Sequence, residues 1–181
     1  IHSGHAQPDG WSGVIQANFD PTVVIQEAVE DARHLCEEEF GVAPPVTVTM
    51  AEVEDAPSSI RNSRLTYVPS HMHYICTELL KNAMRATTTR HREADALPPV
   101  TVTAAFGRDF LGVRISDEGG GIPLTELPRV WRYAYTTAPT PLVELDEGSG
   151  SAHPPMMLRR SALAGYGMGL PLSRLYAQYL G

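Results

Sequence analysis

Cysteine is scarce in this chain: two in 181 residues, Cys36 and Cys76. They stand far apart in helix-like segments, which argues against a disulfide framework or a cysteine-built metal site. They read instead as small buried apolar side chains. Positive charge is also short. Fourteen Lys and Arg stand against 21 Asp and Glu, for a net charge of −7. Nucleic-acid binding as the main task normally needs a basic face, and this balance speaks against it. No apolar run approaches the roughly 20 residues of a membrane-spanning helix. No signal or transit peptide opens the chain, which starts at Ile1 and is read as a piece of something longer, so targeting is not directly legible. Two familiar nucleotide signatures are missing as well. No Lys-Ser or Lys-Thr follows a glycine loop, as a Walker A motif requires, and ordinary protein-kinase HRD and DFG motifs are absent.

What is present is an ordinary globular composition, 43% hydrophobic and 19% charged. One domain of this length can bury a core without staples. Residues 1–19 are polar, lack a clear period and read as a lead-in or linker. A helix then opens at Asp20 as N-cap with Pro21 behind it, and Gly41 closes it. Between them Val24, Ile25, Ala28, Ala32, Leu35 and Cys36 recur at helical spacing. "PVTVTM" (45–50) alternates as a strand, and "RLTYV" (64–68) reads as a short one stopped by Pro69. A second helix is expected from an N-cap at Ser70 to about His91. "VTVTAAF" and "FLGVRIS" read as strands joined by a "GRD" hairpin. "PLTELPRVWRYAY" (123–135) suggests a short helix interrupted by Pro128. Residues 138–162 are rich in Pro, Ser and Gly, and a loop this long is usually a functional lid or disordered. "GYGMGLPLSRLYAQYLG" then enters a last helix. The elements together predict an α/β fold, a two-layer sandwich with helices on one face of a mixed β-sheet.

Three stretches could carry chemistry. On the second helix Met72, Cys76, Leu79, Leu80, Ala83 and Ala86 form an apolar stripe. His71, Tyr74, Glu78, Lys81, Asn82 and Arg85 fall opposite. That polar side could be a plain solvated face. It also holds a carboxylate, an amide oxygen and a guanidinium, the groups that suit a magnesium-bound polyphosphate. In "ISDEGGGIP" (115–123), Asp117 ends a strand and could accept a hydrogen bond from an exocyclic amine such as that of adenine. Gly119 and Gly121 would leave room for a flat base, although glycine plus Asp is also ordinary turn chemistry. In "GYGMGLP", Gly165, Gly167 and Gly169 precede a helix, where free backbone N–H groups can bind phosphate oxygens.

Each stretch alone is a weak signal. Their order is more telling: an acid-Asn helix, strand-Asp-x-Gly-x-Gly, a long lid, then Gly-x-Gly-x-Gly-Leu entering a helix. This order resembles the N, G1 and G2 boxes of the GHKL ATPases, which share the Bergerat ATP-binding fold. "ELLKNAMRAT", "YTTAPTP" and "LAGYGMGLPLSRLYAQYLG" resemble the mitochondrial kinases of pyruvate dehydrogenase and branched-chain 2-oxoacid dehydrogenase, from about Asp20 to Gly181. The resemblance implies one ATP-binding catalytic domain over 20–181. A helical bundle before it and the last strands after it would lie outside this sequence.

The resemblance also implies roles. Glu78 is similar to the general base that activates a substrate serine, and Asn82 to the magnesium ligand. Arg85 sits where it could serve phosphate. Asp117 resembles the adenine-reading acid, with Gly119 and Gly121 lining the base pocket. Thr136 and Thr137 match lid residues near the nucleotide. Gly165, Gly167, Gly169 and Leu170 are similar to the loop that closes on the phosphates. A potassium ion, held in the branched-chain kinases by main-chain carbonyls, would correspond to Val130, Arg132 and Tyr135. The implied activity is ATP-dependent phosphorylation, and so inactivation, of serine on the E1 component of a 2-oxoacid dehydrogenase complex. The implied setting is the mitochondrial matrix. Lipoyl-bearing E2 is an expected partner and a homodimer the expected full-length state, with no nucleic acid and no membrane.

Some positions depart from the pattern. Pyruvate dehydrogenase kinases carry a histidine one turn before the catalytic Glu, where this chain has Tyr74, as in the branched-chain kinases. His71 and His73 lie out of that register, and His71 is expected to be solvated. "YVPSH" and "TTAPTP" are more like the pyruvate enzymes, so the choice of complex stays open. The alternatives are a sensor histidine kinase catalytic domain, or an ATP-gated switch without catalysis.

Overall fold

The computed structural model describes residues 10–51, 65–106, 111–136 and 167–180. The first helix, α1 (Pro21–Phe40), starts and stops where its caps dictate. The Asp20 carboxylate accepts the Thr22 N–H at 2.9 Å, satisfying one of the free donors of the first turn. Gly41 takes a left-handed φ of 73° and its N–H reaches the Glu37 carbonyl at 2.8 Å. The second helix, α2 (Pro69–Arg90), begins two residues earlier than an N-cap at Ser70 would have it. Val68 is its N-cap, without a side-chain cap bond. Proline lacks the N–H that a first helical residue cannot use anyway, so Pro69 opens the helix instead of merely ending the strand. The third, α3 (Gly169–Leu180), follows the glycine loop as expected.

Six strands form two sheets among the described residues. β3 (Val46–Ala51), β5 (Val100–Phe106) and β6 (Leu111–Ser116) make the mixed sheet: β3 and β5 are parallel from Val46–Val100 to Ala51–Ala105. β5 and β6 are antiparallel from Thr101–Ser116 to Phe106–Leu111. The expected hairpin residues "GRD" lie outside the described residues. The second sheet is a small antiparallel one, β1 (Trp11–Ser12), β2 (Ile15–Phe19) and β4 (Leu65–Tyr67). Residues 11–19 therefore carry two strands where the sequence reading has an irregular lead-in. Their pairing is with Leu65–Tyr67, far along the chain, and local periodicity cannot register it. Residues 123–135 form successive turns, not the expected short helix. Glu126 N–H bonds the Pro123 carbonyl and Arg129 N–H the Glu126 carbonyl, both at 2.8 Å. Pro128 brings no N–H to extend them into a helix.

The core lies between helices and mixed sheet. Val100, Val102 and Ala104 alternate inward along β5 onto Leu80, Met84 and Ala83 of α2, with Ile25, Ala28 and Ala32 of α1 completing the cluster. α2 is the central element and packs against α1, α3 and the sheet. The amphipathic division of α2 is correspondingly different from the expected one. Leu79 and Ala86 are only half-buried, whereas Lys81 is 7% exposed. A helix packed on three sides has no simple solvated face, so the polar stripe turns toward a site.

Candidate active site

A cavity of about 420 Å³ opens between α2, the end of β6 and the start of α3. Its size lies within the range of small-molecule and cofactor sites. α2 supplies Glu78, Leu79, Asn82, Ala83, Arg85 and Ala86. The 3.6-residue period explains why Glu78, Asn82 and Arg85 appear together, one turn after another. Ile115, Asp117, Gly121, Ile122 and Pro123 come from the end of β6 and its turn. Glu126, Val130, Tyr135 and Thr136 form one wall, and Gly167, Gly169, Leu170 and Pro171 another.

Most of the residues singled out from the sequence therefore meet in one place. Thr137 and Gly165 lie outside the described residues. Arg132 is exposed and is not part of the cavity lining, and its carbonyl accepts the Tyr135 N–H at 3.4 Å. Gly119 is not a lining residue either. A Cβ there would run into the side chain and carbonyl carbon of Ala86. Its lack of a side chain lets the turn lie directly on α2. Its N–H donates to Asp117 Oδ1 at 2.7 Å. This turn fixes the Asp117 carboxylate by one oxygen and leaves the other available.

Glu78 is held from two sides. Lys81 Nζ donates to its Oε1 at 2.7 Å. Gly169, the first residue of α3, lies so close that a Cβ on it would meet Oε2. Arg85 brings a buried Nε without a hydrogen-bond partner. At Gly167 φ is 70°, and a Cβ would strike the carbonyl groups of Ala134 and Tyr135. Glycine is required there on both counts. Ala134 itself has a φ of 60°, uncommon for a residue with a Cβ.

Electrostatics tie the far wall together. The Tyr135 hydroxyl donates to Glu126 Oε2. That bond, and then the Arg129 charge, hold the Glu126 carboxyl below the usual carboxylate range. The same bond raises the Tyr135 phenol. On α2, burial first and then the Glu78 carboxylate raise the Tyr74 phenol. His71 is half-buried and not solvated as expected. Its ring stacks on Tyr176 of α3 at 4.3 Å, and its Nδ1 is buried without a partner.

Leu79, Ala83, Ala86, Ile115, Ile122, Pro123, Glu126 and Pro171 are lining residues that the sequence reading does not assign to the site. Leu79, Ala83 and Ala86 belong to the apolar stripe, and spacing alone cannot separate a cavity wall from a core. Glu126 carries no local signal, because its partner Tyr135 is nine residues away.

An apolar-walled cavity with an acid at a strand end, an Asn and a Glu on one helix face, and a glycine turn entering a helix matches a known family. The chain belongs to the Histidine kinase-, DNA gyrase B-, and HSP90-like ATPases, whose family model matches residues 67–181. A domain of this family uses ATP. Among individual proteins the chain is similar to mitochondrial pyruvate dehydrogenase (acetyl-transferring) kinases. It is 39% identical to isozyme 4 of Mus musculus and 38% identical to that of Homo sapiens, in each case over 92% of this chain and 37% of the relative. Isozyme 1 of Mus musculus is 40% identical, over 92% of this chain and 35% of the relative. The chain thus spans little more than a third of the length of these curated relatives.

Proposed function

We propose that this chain is the ATP-binding catalytic domain of a protein-serine kinase that phosphorylates, and so inactivates, the E1 component of a mitochondrial 2-oxoacid dehydrogenase complex. The observation that carries this reading is the meeting of Glu78, Asn82, Arg85 and Asp117 in one cavity with the Gly167–Leu170 turn. The names of the similar proteins favour the pyruvate complex over the branched-chain one. They also favour a serine kinase over a sensor histidine kinase or a switch without catalysis. By the same resemblance the working partners are E1 and lipoyl-bearing E2, the full-length state is a homodimer, and the compartment is the mitochondrial matrix.

The residues present fit the cofactor. ATP, when bound, supplies the γ-phosphoryl group. The free oxygen of Asp117 accepts a hydrogen bond from the adenine amine, while Gly121 and the apolar wall of Leu79, Ala86 and Ile115 receive the base. Arg85, whose Nε lacks a protein partner, offers donors suited to phosphate. Asn82 supplies an amide oxygen, the hard ligand that magnesium takes alongside phosphates and waters. Thr136, Gly167, Gly169 and Leu170 close the phosphate end; Thr137 and Gly165 would join them. Glu78 accepts the proton of the substrate serine hydroxyl, as a positioned general base. Of the three potassium positions, Val130 and Tyr135 line the cavity and Arg132 does not.

The test is transfer from γ-labelled ATP by the full-length protein to each purified complex. Label on serine of pyruvate dehydrogenase E1 is the expected result. Label on a histidine of the protein itself, or on neither E1, would overturn the reading.

A further inference from the structure

Lys81 is the only lysine in the sequence; every other permanently cationic side chain among the 14 is an arginine. It is also buried, with its side chain 9% exposed, and sits one turn beyond Glu78 on α2. Its Nζ lies 2.7 Å from Glu78 Oε1. The other oxygen, Oε2, is the atom that a Cβ at Gly169 would meet, so it faces the first residue of α3 at the cavity wall. The two oxygens of one carboxylate thus have different surroundings. One is anchored to a buried ammonium, and the other is presented where α2, α3 and the cavity meet.

We infer that Lys81 is a positioning residue for phosphoryl transfer: it anchors Glu78 through Oε1 so that Oε2 is the atom that takes the substrate proton. This rests on the reading of Glu78 as the base. A general base works only within hydrogen-bond reach of its proton, and a glutamate has three side-chain torsions with which to miss it. A charge-assisted bond of 2.7 Å removes most of that freedom. Lysine suits the place because its charge is compact and its stem slender. Arginine's wider planar fork is not an equivalent in a space this closed.

A double-mutant cycle on the full-length protein tests this, with Lys81→Met, Glu78→Gln and the pair. Methionine keeps an unbranched stem in the buried space without the charge. Lys81→Met should hold ATP affinity within about twofold while single-turnover transfer falls about 10-fold or more, as part of the 10²–10⁴ that a general base contributes. In the Glu78→Gln background the same change should cost nothing further, because a residue acting only through Glu78 has nothing left to position. An equal additional loss in that background would make Lys81 merely structural and overturn the inference. So would full-rate transfer by Lys81→Met while Glu78→Gln is slow. Full-rate transfer by Glu78→Gln would remove the base assignment itself, and the role of Lys81 with it. If Lys81→Met does not fold, Lys81→Leu, which likewise leaves Oε1 without its donor, carries the same cycle, with no further loss expected in the Glu78→Gln background and the same two outcomes against it.

Discussion

Asp117 keeps one carboxylate oxygen on its own turn through the 2.7 Å bond from Gly119 N–H, and so has one oxygen to offer a ligand. Asp117→Ala removes both bonds. A hydrogen bond to a charged group is worth about 1.5–3 kcal/mol, so ATP binding should fall roughly 10- to 100-fold or beyond detection in calorimetry. Unchanged affinity would take the base-reading role from Asp117. The cysteines make a second residue-scale test. Burial pushes the Cys76 thiol up to about 11 and raises that of Cys36 as well. A thiol whose folded pKa lies above its unfolded value favours the folded state fully below the unfolded pKa. For Cys76 that contribution is lost as pH climbs from about 9 toward 11. Both thiols should resist iodoacetamide at pH 8 in the folded protein and react in urea. Rapid labelling of the folded protein would contradict their burial.

At the scale of elements, α2 does two tasks with one sequence, packing the core and furnishing a cavity wall. Its paired charges connect the two tasks. Glu78→Ala would strand the buried Lys81 ammonium, and breaking such a pair costs about 3–5 kcal/mol in a full interior. With Glu78 18% exposed, a loss near 3 kcal/mol is expected. Glu78→Gln keeps an oxygen for Lys81 and should lose less, so the urea midpoints should rank wild type, Gln, Ala. A reversed order would mean that the pair does not support the fold. The turn after β6 depends on α2 in the same way. Gly119→Ala forces a methyl into Ala86, and overpacking typically costs about 1–3 kcal/mol. The turn can relieve this by moving off the helix and taking Asp117 with it. Adenosine and ATP should then lose affinity by a similar factor, since the fault lies at the base end. A loss confined to ATP would place Gly119 at the phosphates. Elements with local signals were legible in the sequence: α1 from Asp20, Pro21 and Gly41, and β5 from its alternation. Those resting on distant partners were not. β2 pairs with Leu65–Tyr67 across the whole of α1 and β3, and nothing within Ile15–Phe19 announces it.

For the molecule as a whole, the site is the place where α2, the β6 turn, the turns of 123–136 and α3 converge. Its lining was legible where a motif names a residue type with chemical purpose, as with Glu78, Asn82, Asp117, Gly121, Gly167 and Gly169. It was not legible where an apolar residue lines the cavity, whether half-buried as Leu79 and Ala86 are or part of the core as Ala83 is. Nor was it legible where a contact such as Tyr135–Glu126 exists only in three dimensions. Lys81 shows the same limit. Helical spacing puts it on a polar face, and only packing on three sides of α2 shows that it is buried under Glu78. In an ATP-driven transfer to serine, Glu78 as the base is the residue on which the reaction depends most. The most direct measurement compares full-length wild type and Glu78→Gln at saturating ATP, following phosphoserine on E1. Transfer should fall about 10²- to 10⁴-fold in the variant while its ATP affinity stays near that of wild type. Transfer by Glu78→Gln at the wild-type rate would contradict the account.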